Sequence, residues 1–239
     1  MRMKEDYMHN GQLKSGYNLQ IGVISEYIAS YKIFSNPADT KTLFPFLEKI
    51  KSQNIEVKNV VADAGYESLS NYEYLKINNY VSYIKPIYYE KSKTRKYQKN
   101  LNRVKNLEYD EKENRLFRKD GLELEFQYYG KDRKTIYFKN PETEKIIKYN
   151  NEFRRLSKKS KDNIESELGK QLRMNRSIQV EGAFAVLKED MKLRKLKVRG
   201  KNSTKREIGL FCIAYNFNKY LAKLSRKNQG VVLHPLKTA

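Results

Sequence analysis

The stretch VKNVVADAGY, residues 57–66, sets the architecture of this chain. Val57, Val60, Val61 and Ala62 make a short apolar run, β-branched and closed by Gly65, and so predict a buried strand. The strand ends on an acid, Asp63, just before a turn through Ala64 and Gly65. Open α/β sheets bind their ligands at the carboxyl ends of their strands. A carboxylate there can hold a hard cation, and it can equally cap the turn or helix that follows.

Ahead of it, Tyr17, Leu19, Ile21 and Val23 alternate over residues 16–24, and Tyr27, Ala29, Tyr31 and Ile33 alternate over Tyr27–Phe34. With only Ser25 and Glu26 between them, the two runs predict an antiparallel hairpin. Residues 1–12 are polar and have no period. Asn36-Pro37-Ala38-Asp39 breaks the sheet, and Leu43, Phe46, Leu47 and Ile50 follow at helical spacing from about Thr42, with Pro45 tolerated in the first turn. After the Asp63 strand, Ser70 and Glu73 have capping-box spacing, and Leu75 and Ile77 carry a short helix onward. Residues 80–84 form another apolar strand. Hairpin, helix, strand, helix, strand is an α/β order with at least one parallel crossover.

Residues 87–148 differ in character. A charged run without a period, 88–103, precedes short alternating pieces at Arg115–Arg118, 122–128, 135–138 and Ile146–Tyr149, which predict a small β-rich insertion. A charged, helix-compatible stretch follows from 150 to about 169. Val180, Phe184, Leu187 and Met191 then form one apolar stripe at helical spacing. Thr204 and Glu207 have capping-box spacing for a last amphipathic helix carrying Leu210, Ile213, Phe217, Leu221 and Leu224. The expected division is 1–86 for the first part of the core, 87–150 for the insertion, 151–224 for a helical part and 225–239 for a loose tail.

Lys and Arg number 49 against 28 Asp and Glu, a net charge of +21, and such an excess points to a polyanion, nucleic acid above all. A single cysteine, Cys212, excludes an internal disulfide and a cysteine-based zinc site, and two histidines, His9 and His234, are too few for a His-rich one. No apolar run approaches the ~20 residues of a membrane span. No apolar signal region opens the sequence. A soluble intracellular protein without a membrane partner is expected.

Glu181 lies beside the apolar stripe of its helix, and Lys188 returns to nearly the same angular position seven residues on. Gly182 and Ala185 leave the face between them open. A carboxylate can hold a divalent metal there while an ammonium meets phosphate; an ordinary solvent-facing Glu and Lys is the plainer reading of the pair taken alone.

The blocks NGQLKSGYNLQ, VVADAGYES and RSIQVEGAFAVLKED, in this order, resemble the DDE transposases of bacterial insertion sequences over residues 4–224. The resemblance implies a ribonuclease-H-like mixed sheet flanked by helices, with two Mg²⁺ ions, or Mn²⁺ in their place, held by Asp, Asp and Glu. Carried over by position, Asp63 matches the second aspartate and Glu181 the glutamate, both metal ligands. Lys188 matches the lysine of the glutamate signature. Arg176 resembles its arginine, one residue further from the glutamate than the commonest form. The first aspartate belongs on a first, central strand upstream of anything present; Asp6, in the polar run RMKEDYM, does not replace it, so the metal site is expected to be incomplete and the chain inactive alone and prone to aggregate. The implied partners are transposon ends and target DNA, with a homodimer left open, and the implied location is the cytoplasm, at the nucleoid. A non-catalytic DNA-binding remnant or accessory chain, and a ribonuclease-H-fold nuclease outside transposition, are the rival readings.

Lys192, Arg194, Lys195, Lys197, Arg199 and Lys201 form a basic loop after the Glu181 helix, suited to phosphates and carrying no base readout. The chain is therefore expected to bind duplex DNA with steep salt dependence and little sequence preference. Replacing Lys195, Lys197 and Arg199 together should flatten the slope of log affinity against log salt by about 2–3 in fluorescence anisotropy titrations, as each lost phosphate contact removes about 0.9; an unchanged slope would exclude the loop.

Overall fold

Ser25 and Glu26 both take positive φ, 50° and 74°, the twist that lets a two-residue turn join two strands without splaying them. The computed structural model describes residues 2–5, 11 and 13–227 and is an α/β fold. The first strands, β1 (Arg2–Glu5) and β2 (Leu13–Gly16), pair antiparallel. The polar opening segment thus contains a strand that no apolar period announces, because a ribbon of this kind is held by backbone pairing. The hairpin follows as β3 (Asn18–Ile24) and β4 (Tyr27–Phe34), in register from Asn18↔Phe34 to Ile24↔Tyr27 with an irregularity at Gly22/Val23.

Helix α1 (Leu43–Ser52) buries Leu43, Phe46, Leu47 and Ile50, the four positions its spacing picks out. Strand β5 (Asn59–Ala62) is shorter than its apolar run, leaving Val57 outside. Helix α2 (Leu69–Ile77) crosses over to β6 (Val81–Ile84), and β5 and β6 pair in parallel, Ala62 opposite Ile84. The cap of α2 is Ser68, which accepts from the Asn71 N–H at 3.2 Å, and not the Ser70–Glu73 box; Glu73 instead pairs with Lys134 at 2.6 Å. Ile77 ends 78% exposed, while Leu75 is buried.

A short helix, α3 (Arg95–Gln98), leads into a five-stranded antiparallel meander: β7 (Leu107–Asp110), β8 (Arg115–Arg118), β9 (Glu123–Tyr129), β10 (Ile136–Lys139) and β11 (Ile146–Tyr149), in that spatial order. Two of the pieces read from alternation coincide with strands to the residue, and β7 lies between the charged run and the first of them. Leu107, Leu116, Leu124, Ile136, Phe138, Ile147 and Tyr149 give this sheet a core of its own.

Asn150 then caps α4 (Asn151–Glu165) by accepting from the Phe153 N–H at 2.7 Å. Ser166, in extended backbone, breaks the chain and caps α5 (Glu167–Arg176) through the Gly169 N–H. The following turns are wider than α: π-helical at Ser177–Glu181, α again at α6 (Gly182–Ala185), π-helical at Val186–Asp190. The last helix, α7 (Lys201–Ser225), starts at Gly200 with no side-chain cap. The expected Thr204–Glu207 box is not formed, because Thr204 is already inside the helix and the Glu207 carboxylate accepts from the Lys197 N–H at 3.0 Å. From residue 228 the expected tail, and with it His234, lies outside the described residues, as do Asp6 and His9.

Two cores hold the part around the site. Leu43, Phe46, Leu47, Ile50, Val60, Ala62, Tyr72, Leu75, Ile84 and Leu156 join α1, α2 and α4 to the parallel pair. Ile28 and Ile33 of the hairpin pack against Ala183, Leu187, Ile208, Cys212 and Tyr215. The hairpin turn is also tied down by charge: Glu26, 5% exposed, meets Lys219 at 2.9 Å and Lys223 at 2.8 Å. Asn216 both donates to the Ile28 carbonyl and accepts from its N–H.

The joint between α4 and α5 closes so tightly that a Cβ at Gly169 would lie 1.9 Å from the Asn163 carbonyl oxygen, whereas one at Gly182 meets nothing within 4 Å. Gly169→Ala should therefore cost about 1–3 kcal/mol or more by overpacking, and Gly182→Ala should gain up to ~1 kcal/mol. Denaturant titrations of the two variants should move in opposite directions.

Candidate active site

The parallel ladder stops at Ala62 and Ile84, so the residue after β5, Asp63, stands at the carboxyl edge of the pair. It caps the short turn Ala64–Tyr66, one carboxylate oxygen accepting from the Gly65 N–H at 3.0 Å. Its other oxygen accepts from Nη2 of Arg176 at 3.0 Å, and Nη1 of the same guanidinium lies 3.6 Å from Oε1 of Glu181. The cap that the sequence offered is made by one oxygen, while the other meets a guanidinium. Asp63 and Glu181, remote in the chain, converge on one guanidinium.

The π-helical turn is what makes that convergence possible. In an α-helix residues four apart share a face; in a π turn the hydrogen bond spans five residues, so positions five apart do. Arg176 and Glu181 are five apart and flank the π turn Ser177–Glu181. The second π turn shifts the phase again. Lys188 is exposed, its ammonium 5.2 Å from the centre of the Phe184 ring, and among the described residues it forms no ion pair with Asp63 or Glu181. The side chain that faces the core is Leu187, fully buried beside Ala183.

A third acid borders the site from the other side. Asp39 and Asp63 flank Gly65, where a Cβ would lie 3.1 Å from Asp39 Oδ2 and 3.2 Å from Asp63 Oδ1. Asp39 is held from the hairpin: its Oδ1 accepts from Asn18 at 2.6 Å and from the buried Gln20 at 3.2 Å. Gln20 in turn accepts from the Tyr66 hydroxyl. Burial first, then the Asp39 and Asp63 carboxylates, raise the Tyr66 phenol, so it stays a donor throughout the physiological range. This network couples the hairpin to the Asp63 turn. Asp39 was read in the sequence only as part of a sheet-breaking turn.

The basic loop is exposed at Lys192, Arg194, Lys195, Lys197, Arg199 and Lys201, while Leu193 and Leu196 pin it to the hairpin core. Arg194 pairs with Glu189. Lys32 and Lys49, not singled out by the sequence, join this surface: burial lowers both, and then Lys201 and Lys205 lower Lys32, and Lys205 and Lys32 lower Lys49. Cations that depress one another in this way gain from an approaching polyanion.

Among the described residues no group of three or more His, Cys, Asp or Glu side chains is placed to hold a metal ion. Asp63 and Glu181 still fit one as a pair: their donors are carboxylate oxygens, the ligands Mg²⁺ prefers, and a cation already sits where their potentials meet. Residues 133–221, from the turn before β10 to near the end of α7, match the family model described as a transposase DDE domain. The resemblance to DDE transposases is thereby shown over a segment that contains Arg176, Glu181 and Lys188. No curated protein and no solved structure matches the chain. No helix among the described residues is long and apolar enough to cross a membrane.

The Arg176 contacts are half open to water, with Asp63 and Glu181 side chains 49% and 66% exposed. Exposed ion pairs contribute about 0.2–1 kcal/mol, so Arg176→Ala should change folding stability by no more than ~1 kcal/mol. Leu187→Ala, on the buried face of the same helix, should cost about 2–5 kcal/mol. Equilibrium unfolding in urea compares the two directly.

Proposed function

We propose that this chain forms the catalytic region of a DDE transposase, acting in metal-dependent cleavage of DNA strands at transposon ends and their transfer to target DNA. The observation that carries the reading is the meeting of Asp63 and Glu181 on Arg176. The separation of the hairpin from the parallel pair supports a ribonuclease-H-like sheet in which a further central strand, bearing an aspartate to complete the metal ligands, belongs beside β5. With that strand the two sheets become one.

Bound divalent ions would supply an activated water and a stabilised leaving oxygen. Asp63 and Glu181 would hold them. Arg176 offsets the mutual repulsion of the two carboxylates until then and keeps them aimed at one point. Lys188, exposed on the helical segment that follows Glu181, would meet a phosphate of the bound strand. Lys192, Lys195, Lys197, Arg199 and Lys201 would grip the DNA backbone and leave sequence unread. A DNA substrate places the working protein in the cytoplasm, at the nucleoid. A second reading, a DNA-binding chain that does not cut, draws on the lack of a three-acid group among the described residues.

The test is cleavage of DNA carrying transposon ends, with Mg²⁺ or Mn²⁺. The 239-residue chain should bind but not cut. A version extended at its N-terminus by a strand carrying an aspartate should cut, and Asp63→Ala or Glu181→Ala should lower that rate at least ~10³-fold, the scale of losing a key group in a catalytic set. Cleavage that survives Asp63→Ala would sink the assignment. Binding without cleavage in every version would favour the second reading.

A further inference from the structure

Helix α7 is apolar on two faces, and only one of them is covered. Ile208, Cys212 and Tyr215 turn inward against the hairpin. The apolar stripe read from the sequence, Leu210, Ile213, Phe217, Leu221 and Leu224, faces outward, 68%, 67%, 58%, 42% and 45% exposed, with Tyr220 beside it at 49%. A helix apolar on two faces calls for two partners.

We propose that this outer face is a homodimer interface, on which α7 of a second copy of the chain lies antiparallel. Three observations select that occupant. First, Leu210, Ile213, Phe217, Tyr220 and Leu224 recur at alternating steps of three and four residues, the seam of a two-helix coiled coil and not the wider face that meets a sheet. Second, the stripe reads the same from both ends. About a two-fold axis through Phe217, Leu210 meets Leu224, Ile213 meets Leu221, and Phe217 meets its own copy, as an isologous contact requires. Third, the face carries no charge: residues 208–218 contain no Asp, Glu, Lys or Arg in a chain where these make up 32%. For a chain of net charge +21, contact with its own copy is tolerable only where like charges do not meet.

The area suits a dimer. An aromatic side chain buries ~150–250 Å² in full, so the six half-exposed side chains offer on the order of 100 Å² each and ~600 Å² together, against ~800 Å² per partner in a standard interface. The exposed Ala214 and Asn218 widen the contact. None of the six side chains belongs to the Asp63–Glu181 site, so the interface stands or falls independently of the proposed chemistry.

Sedimentation equilibrium on the nucleic-acid-free chain, over a range of concentrations, should approach twice the monomer mass of 28.4 kDa. Phe217→Asp, a change at an exposed position, should halve that mass while leaving the circular dichroism spectrum intact. Disulfide trapping checks the orientation. Phe217→Cys should cross-link to itself, and Leu210→Cys should cross-link to Leu224→Cys in mixed samples but not to itself. The native Cys212 gives no background, as it is buried and burial pushes its thiol up to about 11. A monomer at every concentration, an oligomer that Phe217→Asp leaves intact, or self-linking of Leu210→Cys would overturn the proposal.

Discussion

The parallel pairing of β5 with β6 is the constraint from which the rest of the architecture follows. Two parallel strands cannot be joined by a tight turn, so the chain must cross over, and α2 makes the crossing. Nor can such a pair stand with bare faces or edges. Helices α1 and α2 fill one side with Leu43, Phe46, Leu47, Tyr72 and Leu75. On the outer edge of β6, α4 substitutes side chains for a missing strand: Ser160 accepts from the Ile84 N–H at 2.9 Å, and Asn163 donates to the Ser82 carbonyl at 3.0 Å. Covering that edge fixes where α4 ends, and hence where α5 begins. Arg176 and Glu181 come to the end of β5 because α4 had to reach β6.

The electrostatics are layered on that frame and contribute little to its stability. Glu26 with Lys219 and Lys223 is buried and holds the hairpin turn to α7, so removing one partner would strand charge in a dry place. Arg176 with Asp63 and Glu181 is the opposite case. It is wet enough to be weak and open enough to be exchanged for another cation. The chain thus separates ion pairs that hold from an ion pair that can let go.

Much of this was legible in the sequence, and the misses have physical causes. Period-two alternation located β4, β8 and β11 to the residue, because those strands are half buried and their side chains record it. The spacing of Leu43, Phe46, Leu47 and Ile50 identified the inner face of α1 for the same reason. Caps were harder. Ser68 competes with Ser70, and Gly200 with Thr204, and only the path of the chain decides where each helix begins. On α7 the amphipathic helix was legible but the face that packs inward was not, since an apolar stripe says that a face wants cover and not which one receives it. At the site, Asp63 and Glu181 stood out by position, but Asp39 has no local signal, as its importance rests on contacts with Asn18, Gln20 and Gly65 from other elements. The π turns have none either: a pattern counted at 3.6 residues per turn cannot reveal where the helix departs from it.

The β7–β11 meander has one further effect, on how the chain finds its fold. Its strands pair only with sequence neighbours, so every strand pairing closes a short loop. The contact between Asp63 and Arg176 spans 113 residues, and the meander lies within that span. Closing a loop of disordered chain costs entropy that grows with its length. Once the meander has formed it behaves as a rigid spacer, and the search that brings α4 onto β6 runs over a much shorter effective length. Local pairings of this kind also form fast. The insertion thereby serves as a kinetic staple, shortening the distance in sequence across which the two halves of the core must find each other.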